Sequence, residues 1–237
     1  MILVLAGTTE ARMLCRRIAD LELTASLAGV TEAPMTLGVP TRIGGFGGGD
    51  GFLEFCKNNG VGVVVDATHP FAARITERTY RLCTQARIPY LRLERPAWTV
   101  KPTWHSVRDA ASAAAAVPQG ARVFLATGRQ TLQEFDALGK AEVFVRVVED
   151  TGAEFPFERG RFVFGLPSKS VEAEKALLSM LGVGYLVTKN SGGSDAKLRA
   201  AEELGLSIIV IERPEMEVGP VVATVEEAEV WVRARCR

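Results

Sequence analysis

The residues best suited to chemistry lie in short runs that each follow an apolar stretch. The first is Ala6-Gly7-Thr8-Thr9-Glu10-Ala11-Arg12, which follows Ile2-Leu3-Val4-Leu5 directly. Apolar residues then recur at helical spacing. A strand that enters a helix through a small-residue turn offers unpaired N–H groups and the positive end of the helix dipole. That is the recipe for holding a phosphate. The turn therefore predicts a dinucleotide pyrophosphate at Gly7, Thr8, Thr9 and the first helical amides, with Glu10 pairing to local backbone or ribose. No acid follows the second apolar run, Leu23–Ala28, where a carboxylate usually grips the ribose 2′-hydroxyl. Glu32 is the nearest and comes late. The missing acid favours a 2′-phosphorylated nicotinamide dinucleotide, with Arg12 and Arg42 as phosphate partners; the alternative is an ordinary loop.

The second run, Gly44-Gly45-Phe46-Gly47-Gly48-Gly49-Asp50-Gly51, holds six glycines in eight residues. A connector needs one or two. This density suits close approach to a ligand or positive φ, and Asp50 is placed to cap a helix over Phe52–Asn59. The third run, Asp66-Ala67-Thr68-His69-Pro70-Phe71-Ala72, follows the β-branched stretch Val61–Val65, which reads as a central parallel strand. Asp66 and His69 are the first proton donors to test. A donating Asp66 would need burial to raise its pKa. The alternatives are that Asp66 caps loop amides and that His69 bonds within the same turn. Further strands end in Arg95, in Gly128-Arg129, in Lys189-Asn190-Ser191-Gly192-Gly193 and in Arg213, with Lys197 nearby. Carboxyl edges of parallel strands are where open α/β sheets bind ligands. Cations gathered there predict a polyanion site, whereas any one of them alone would read as a solvated surface charge.

The elements that position these runs alternate strand and helix along all 237 residues. The fold class is α/β, with two Rossmann-like domains, each a mainly parallel sheet flanked by helices, and a cleft between them. The polar stretch Thr99–Thr103 sets the boundary, giving domains 1–99 and 100–237. A helix is expected over Val107–Val117. Lys plus Arg and Asp plus Glu both total 28, so charge gives no reason to expect a nucleic acid or membrane partner. With only two histidines, a histidine-based metal site is not expected. Four scattered cysteines read as free thiols in a cytoplasmic protein, and the chain starts on a strand rather than a signal peptide.

Taken in series, Leu5–Arg12, Pro40–Gly48, Asp66–Ala72, Glu94-Arg95-Pro96-Ala97-Trp98 and Val187–Gly193 resemble the precorrin-6A reductase family, which acts in corrin (vitamin B12) biosynthesis. The resemblance covers nearly the whole chain, and Asp66–Ala72 is its most specific stretch. It implies NADPH as cofactor and reduction of a ring double bond of a polycarboxylate tetrapyrrole, precorrin-6A or its cobalt form, to the 6B state. Gly44, Gly45 and Thr68 join the cofactor set. Phe46 and Trp98 would supply stacking surface, and Arg95, Arg129, Lys189, Asn190, Ser191, Gly192, Gly193 and Lys197 would hold the substrate's carboxylates. A monomer is favoured. Ala6 stands where relatives often carry a second glycine, and Phe164-Gly165-Leu166-Pro167 replaces a more glycine-rich run. Two other readings compete. An S-adenosylmethionine-dependent tetrapyrrole methyltransferase would want an acid after the second strand. A non-catalytic tetrapyrrole carrier would explain the cations but not the Gly7-Thr8-Thr9 helix entry.

Overall fold

A computed structural model describes residues 1–29 and 36–236. Glu32 lies outside the described residues. The chain forms two compact units, Met1–Pro96 with Pro214–Arg237, and Ala97–Arg213.

Unit 1 contains β1 (Ile2–Ala6), α1 (Thr9–Arg17), β2 (Leu23–Leu27), β3 (Thr41–Ile43), α2 (Gly49–Asn58), β4 (Val63–Ala67), α3 (Ala73–Ala86) and β5 (Tyr90–Leu93). Unit 2 contains β6 (His105–Val107), α4 (Ala110–Ala115), β7 (Arg122–Ala126), a 3₁₀ segment (Leu132–Leu138), β8 (Glu142–Val147), β9 (Gly160–Phe164), α5 (Val171–Leu181), β10 (Tyr185–Lys189), α6 (Ala196–Glu203) and β11 (Ser207–Ile211). The chain then returns to unit 1 with β12 (Val221–Val222) and α7 (Val225–Arg233).

Every described strand pair is parallel. The unit 1 sheet runs β3-β2-β1-β4-β5-β12. This is the doubly wound 3-2-1-4-5-6 order, with its switch point between β1 and β4. The unit 2 sheet runs β9-β8-β7-β10-β11-β6. It has the same order, except that the sixth strand comes first in sequence. Its switch point lies between β7 and β10. Period-two alternation sorts the unit 1 strands between two cores. Ile2, Val4, Val63 and Val65 pack with Leu14 of α1, Ile18 at its C-cap and Val232 of α7. Leu3, Leu5 and Val64 pack with Phe52 and Cys56 of α2 and Leu82 and Cys83 of α3.

The expected 100–237 domain is corrected at its end. The last segment belongs to unit 1 because β12 pairs with β5, Val221 opposite Arg92, and α7 buries Val225, Ala228 and Val232 against α1. Arg17 ion pairs with Glu226 and Glu229, and Arg233 meets Asp20 at 2.8 Å. The helix expected over Val107–Val117 starts later, because Val107 ends β6 and Asp109 caps α4 by accepting the Ser112 N–H at 2.8 Å. Asp50 does not cap α2. The helix begins at Gly49, and Asp50 sits in its first turn, where a carboxylate suits the dipole. Glycine is obligatory at Gly160, where a Cβ would sit 1.8 Å from the Val143 carbonyl oxygen, and this close approach lets β9 pair with β8.

Candidate functional site

In unit 1 the site is built at the carboxyl ends of β1, β3 and β4. Thr8 is the N-cap of α1; its hydroxyl accepts the Ala11 N–H at 3.1 Å and donates to the Ala67 carbonyl at 2.9 Å. One side chain thus starts the helix and ties it to β4. With Ala11 capped, the N–H groups of Thr9 and Glu10 are the helix donors without an intrahelical acceptor. Gly7 lies close to the next loop; a Cβ there would be 3.6 Å from His69 N and Thr68 Cα. Glu10 ion pairs with Arg95 at 2.8 Å, joining the start of α1 to the end of β5.

The glycine-rich loop is shaped by its own backbone. Gly44, Gly47 and Gly48 have positive φ, and a Cβ on Gly51 would lie 1.8 Å from the Phe46 carbonyl oxygen. Nothing lies within 4 Å of a Cβ built at Gly44, Gly45, Gly47 or Gly48, so those backbones face open space. Arg42 staples the loop. It donates to Ser26 Oγ at 2.7 Å, to the Gly44 carbonyl at 2.9 Å and to the Gly45 carbonyl at 2.8 Å. Its guanidinium lies 3.9 Å from the Phe46 ring centroid, and burial lowers its pKa. Phe46 also meets Phe52 and Phe55 edge-on.

Beneath the β4–α3 loop lies a buried polar cluster. Asp66 Oδ1 accepts from the Thr68 N–H (3.0 Å), Thr68 Oγ1 (2.7 Å) and Arg92 Nη1 (2.8 Å), while Oδ2 accepts from the Tyr90 hydroxyl at 3.0 Å. Asp66 is 0% exposed and Arg92 1%. Arg92 also donates to Thr68 Oγ1 at 2.9 Å, to Glu94 Oε2 at 2.9 and 3.1 Å, and to the His69 carbonyl at 3.4 Å. Burial, and then the Asp66 charge, push the Tyr90 pKa upward, so the phenol stays a donor. His69 is half-buried, and its Nδ1 accepts the Phe71 N–H at 3.2 Å.

In unit 2 the residues gather at the β7/β10 switch point. Asn190 is buried and clamps Trp98; its Oδ1 accepts the Trp98 N–H at 2.8 Å and its Nδ2 donates to the Trp98 carbonyl at 3.1 Å. The Trp98 indole N–H donates to the Gly193 carbonyl at 2.9 Å, and Lys197 Nζ lies 4.4 Å from its ring centroid. Arg213 donates to the Asn190 carbonyl at 2.8 Å. Gly192 and Gly193 have positive φ. Lys189 ends β10, and burial lowers its pKa while Glu134 opposes that shift. Arg129 follows β7; it donates to the Glu149 carbonyl at 3.1 Å and lies 4.9 Å over the Phe162 ring.

The sequence profile of the Precorrin-6x reductase CbiJ/CobK family matches residues 1–233. The chain belongs to that family. It is 40% identical over 238 residues to the precorrin-6A reductase of Rhodobacter capsulatus, covering 98% of this chain and 95% of the relative. It is 36% identical over 247 residues to the cobalt-precorrin-6A reductase of Priestia megaterium, covering 96% of each. A solved CobK precorrin-6A reductase superposes with a TM-score of 0.92 at 39% identity, covering 99% of this chain and 96% of that one. The fold class expected from the sequence, two Rossmann-like domains with parallel sheets, agrees with that structure.

Several of the side chains expected at the site are engaged within the protein. Asp66 is not placed to give a proton to a ligand, because both oxygens accept hydrogen bonds inside the protein and the side chain has no exposed surface. It is the amide-capping acid that the sequence left as its alternative, and His69 bonds within its own turn as well. The Thr68 hydroxyl and backbone N–H are both spent on the same cluster. Phe46 has one ring face covered by Arg42, and Trp98 has one faced by Lys197. Asn190 positions Trp98 with its side chain. Glu10 and Arg95 pair with each other. Sequence reading missed Tyr90 and Arg92. The only signal for them is a tyrosine and an arginine in phase within the apolar strand Tyr90–Leu93, whose four residues are all buried.

Proposed function

We propose that this reductase uses NADPH to reduce a ring double bond of precorrin-6A, giving precorrin-6B, in corrin biosynthesis. The observation that carries the cofactor reading is the β1–α1 turn, where a capped helix start leaves the Thr9 and Glu10 N–H groups at the switch point of a 3-2-1-4-5-6 sheet. The chain's own residues fit a dinucleotide. Gly7 brings the turn close to the Thr68–His69 backbone, and the Gly44–Gly48 loop presents open backbone. Arg42 uses three of its five N–H donors within the protein, leaving its Nε–H and one Nη2–H for a 2′-phosphate. When bound, the nicotinamide supplies the hydride. The protein's work is to orient the reactants and exclude water. The Asp66–Arg92–Thr68 cluster fixes the loop that carries His69. In unit 2, Lys189, Arg129 and the Gly192–Gly193 backbone supply cations and amides for the substrate's carboxylates.

Calorimetric titration with NADPH, NADH and S-adenosylmethionine tests this reading against a methyltransferase and a carrier. NADPH should bind more tightly than NADH, and S-adenosylmethionine should not bind. No NADPH binding at millimolar concentration would overturn it.

A further inference from the structure

Unit 2 carries exposed apolar side chains at the carboxyl ends of β8 and β9. Phe164 is 51% exposed, Val148 52% and Leu166 61%. Phe164 pairs opposite Val147 of β8, and the Gly165 N–H donates to the Val147 carbonyl at 2.9 Å. Gly165 has a φ of 132°, which turns the chain immediately after the strand. Phe164 extends a ladder of rings. Its centroid is 6.3 Å from Phe162, which lies 5.0 Å from Phe155. Arg129 covers Phe162 at 4.9 Å and spends one N–H, on the Glu149 carbonyl, of the five it carries. The outer ring thus continues a ladder whose inner ring lies under a cation that keeps donors to offer. Strand ends at a parallel sheet's carboxyl edge are the ligand edge, and β9 lies three strands from β10, which ends in Lys189. At ~4.8 Å per strand that is about 14 Å between an apolar plate and a second cation.

We infer that Phe164 is the surface on which the ring plane of the tetrapyrrole lies, and that Arg129 takes one of its carboxylates. This rests on the reductase reading above and assigns to unit 2 the stacking role that Phe46 and Trp98 were expected to fill. A flat apolar ring with a carboxylate fringe needs both an aromatic face and a planar two-donor cation. An exposed phenylalanine on an edge strand is otherwise an aggregation liability.

Uroporphyrin, a stable octacarboxylate tetrapyrrole, serves as the probe, with binding followed by fluorescence and NADPH binding measured separately. Phe164→Ala should weaken uroporphyrin binding about five- to ten-fold, the scale of one aromatic contact. Phe164→Asp should weaken it further, Phe164→Trp should retain it, and Arg129→Gln should weaken it and flatten its salt dependence. NADPH affinity should not change in any of them. Met180→Ala, at an exposed site on α5, should leave both unchanged. Equal uroporphyrin affinity in Phe164→Ala, Phe164→Asp and the parent would overturn the inference while leaving the reductase reading intact. Failure of the folded, NADPH-binding parent to bind uroporphyrin or precorrin-6A would overturn both.

Discussion

Replacing Arg92 by methionine should cost unit 1 about 3–5 kcal/mol. The side chain is 1% exposed and meets Asp66, Thr68 and Glu94 within 3.1 Å. Asp66 has no exposed surface, so removing the guanidinium strands a buried carboxylate with only Thr68 and Tyr90 as donors. Breaking one side of a buried pair costs roughly that amount, because the surviving charge is neither solvated nor paired. Glu94 is less buried and can rehydrate. Against a total stability of about 5–15 kcal/mol the loss is easily read. Trp98 and Trp104 lie in unit 2 and Trp231 in unit 1. In a Trp98→Phe/Trp104→Phe background, urea unfolding followed by Trp231 fluorescence therefore reports unit 1. Asp66→Asn should cost less, since Arg92 keeps Glu94. The double variant Asp66→Asn/Arg92→Met should be more stable than the sum of the single losses by roughly 1–3 kcal/mol, the mark of directly coupled residues. An Arg92→Met protein within about 1 kcal/mol of its parent, or strictly additive losses, would refute the reasoning.

Other outcomes follow from the same geometry. Asp66→Asn, assayed on folded protein, should keep kcat within a few-fold; a drop of about 10²-fold or more would restore Asp66 as the proton donor. Thr8→Ala removes a cap and the tie to Ala67, so it should lower stability by about 1 kcal/mol in thermal unfolding and weaken NADPH binding. Arg42→Gln should narrow the preference for NADPH over NADH mainly by raising Kd for NADPH; equal loss for both cofactors would remove Arg42 from the 2′-phosphate. Burial pushes the thiols of Cys15 and Cys56 up to about 11 and Cys83 to about 12. Above pH 9 the unfolded thiols lose protons that the folded ones keep, so stability should fall as pH rises, by up to about 1.4 kcal/mol per pH unit for each thiol. Cys83→Ala should make that alkaline slope shallower in unfolding measured between pH 9 and 11.

The local chemistry of strand ends was legible in the sequence because each apolar run and its following turn are contiguous. Thr8, Gly44 and Lys189 all stand at carboxyl ends of strands or in the loops that follow them. The closing of unit 1 was not legible, because β12 has two residues and too little length to show a period of two. Its pairing with Arg92 and Leu93, together with the packing of α7 on α1, shows that the chain returns. The role of Asp66 was hidden for a related reason. Its partners Tyr90 and Arg92 lie 24 and 26 residues away on the neighbouring strand, and parallel register alone brings them together. Arg42 read as a phosphate ligand by type, but its hold on the Gly44 and Gly45 carbonyls depends on backbone geometry that composition does not encode.

The most direct test of the central claim is a coupled assay with precorrin-6A and NADPH, following nicotinamide oxidation and the mass of the macrocycle together. The account predicts one NADPH oxidised for each macrocycle that gains two hydrogens, and much slower turnover with NADH. A folded protein that leaves NADPH unoxidised in the presence of precorrin-6A would contradict it.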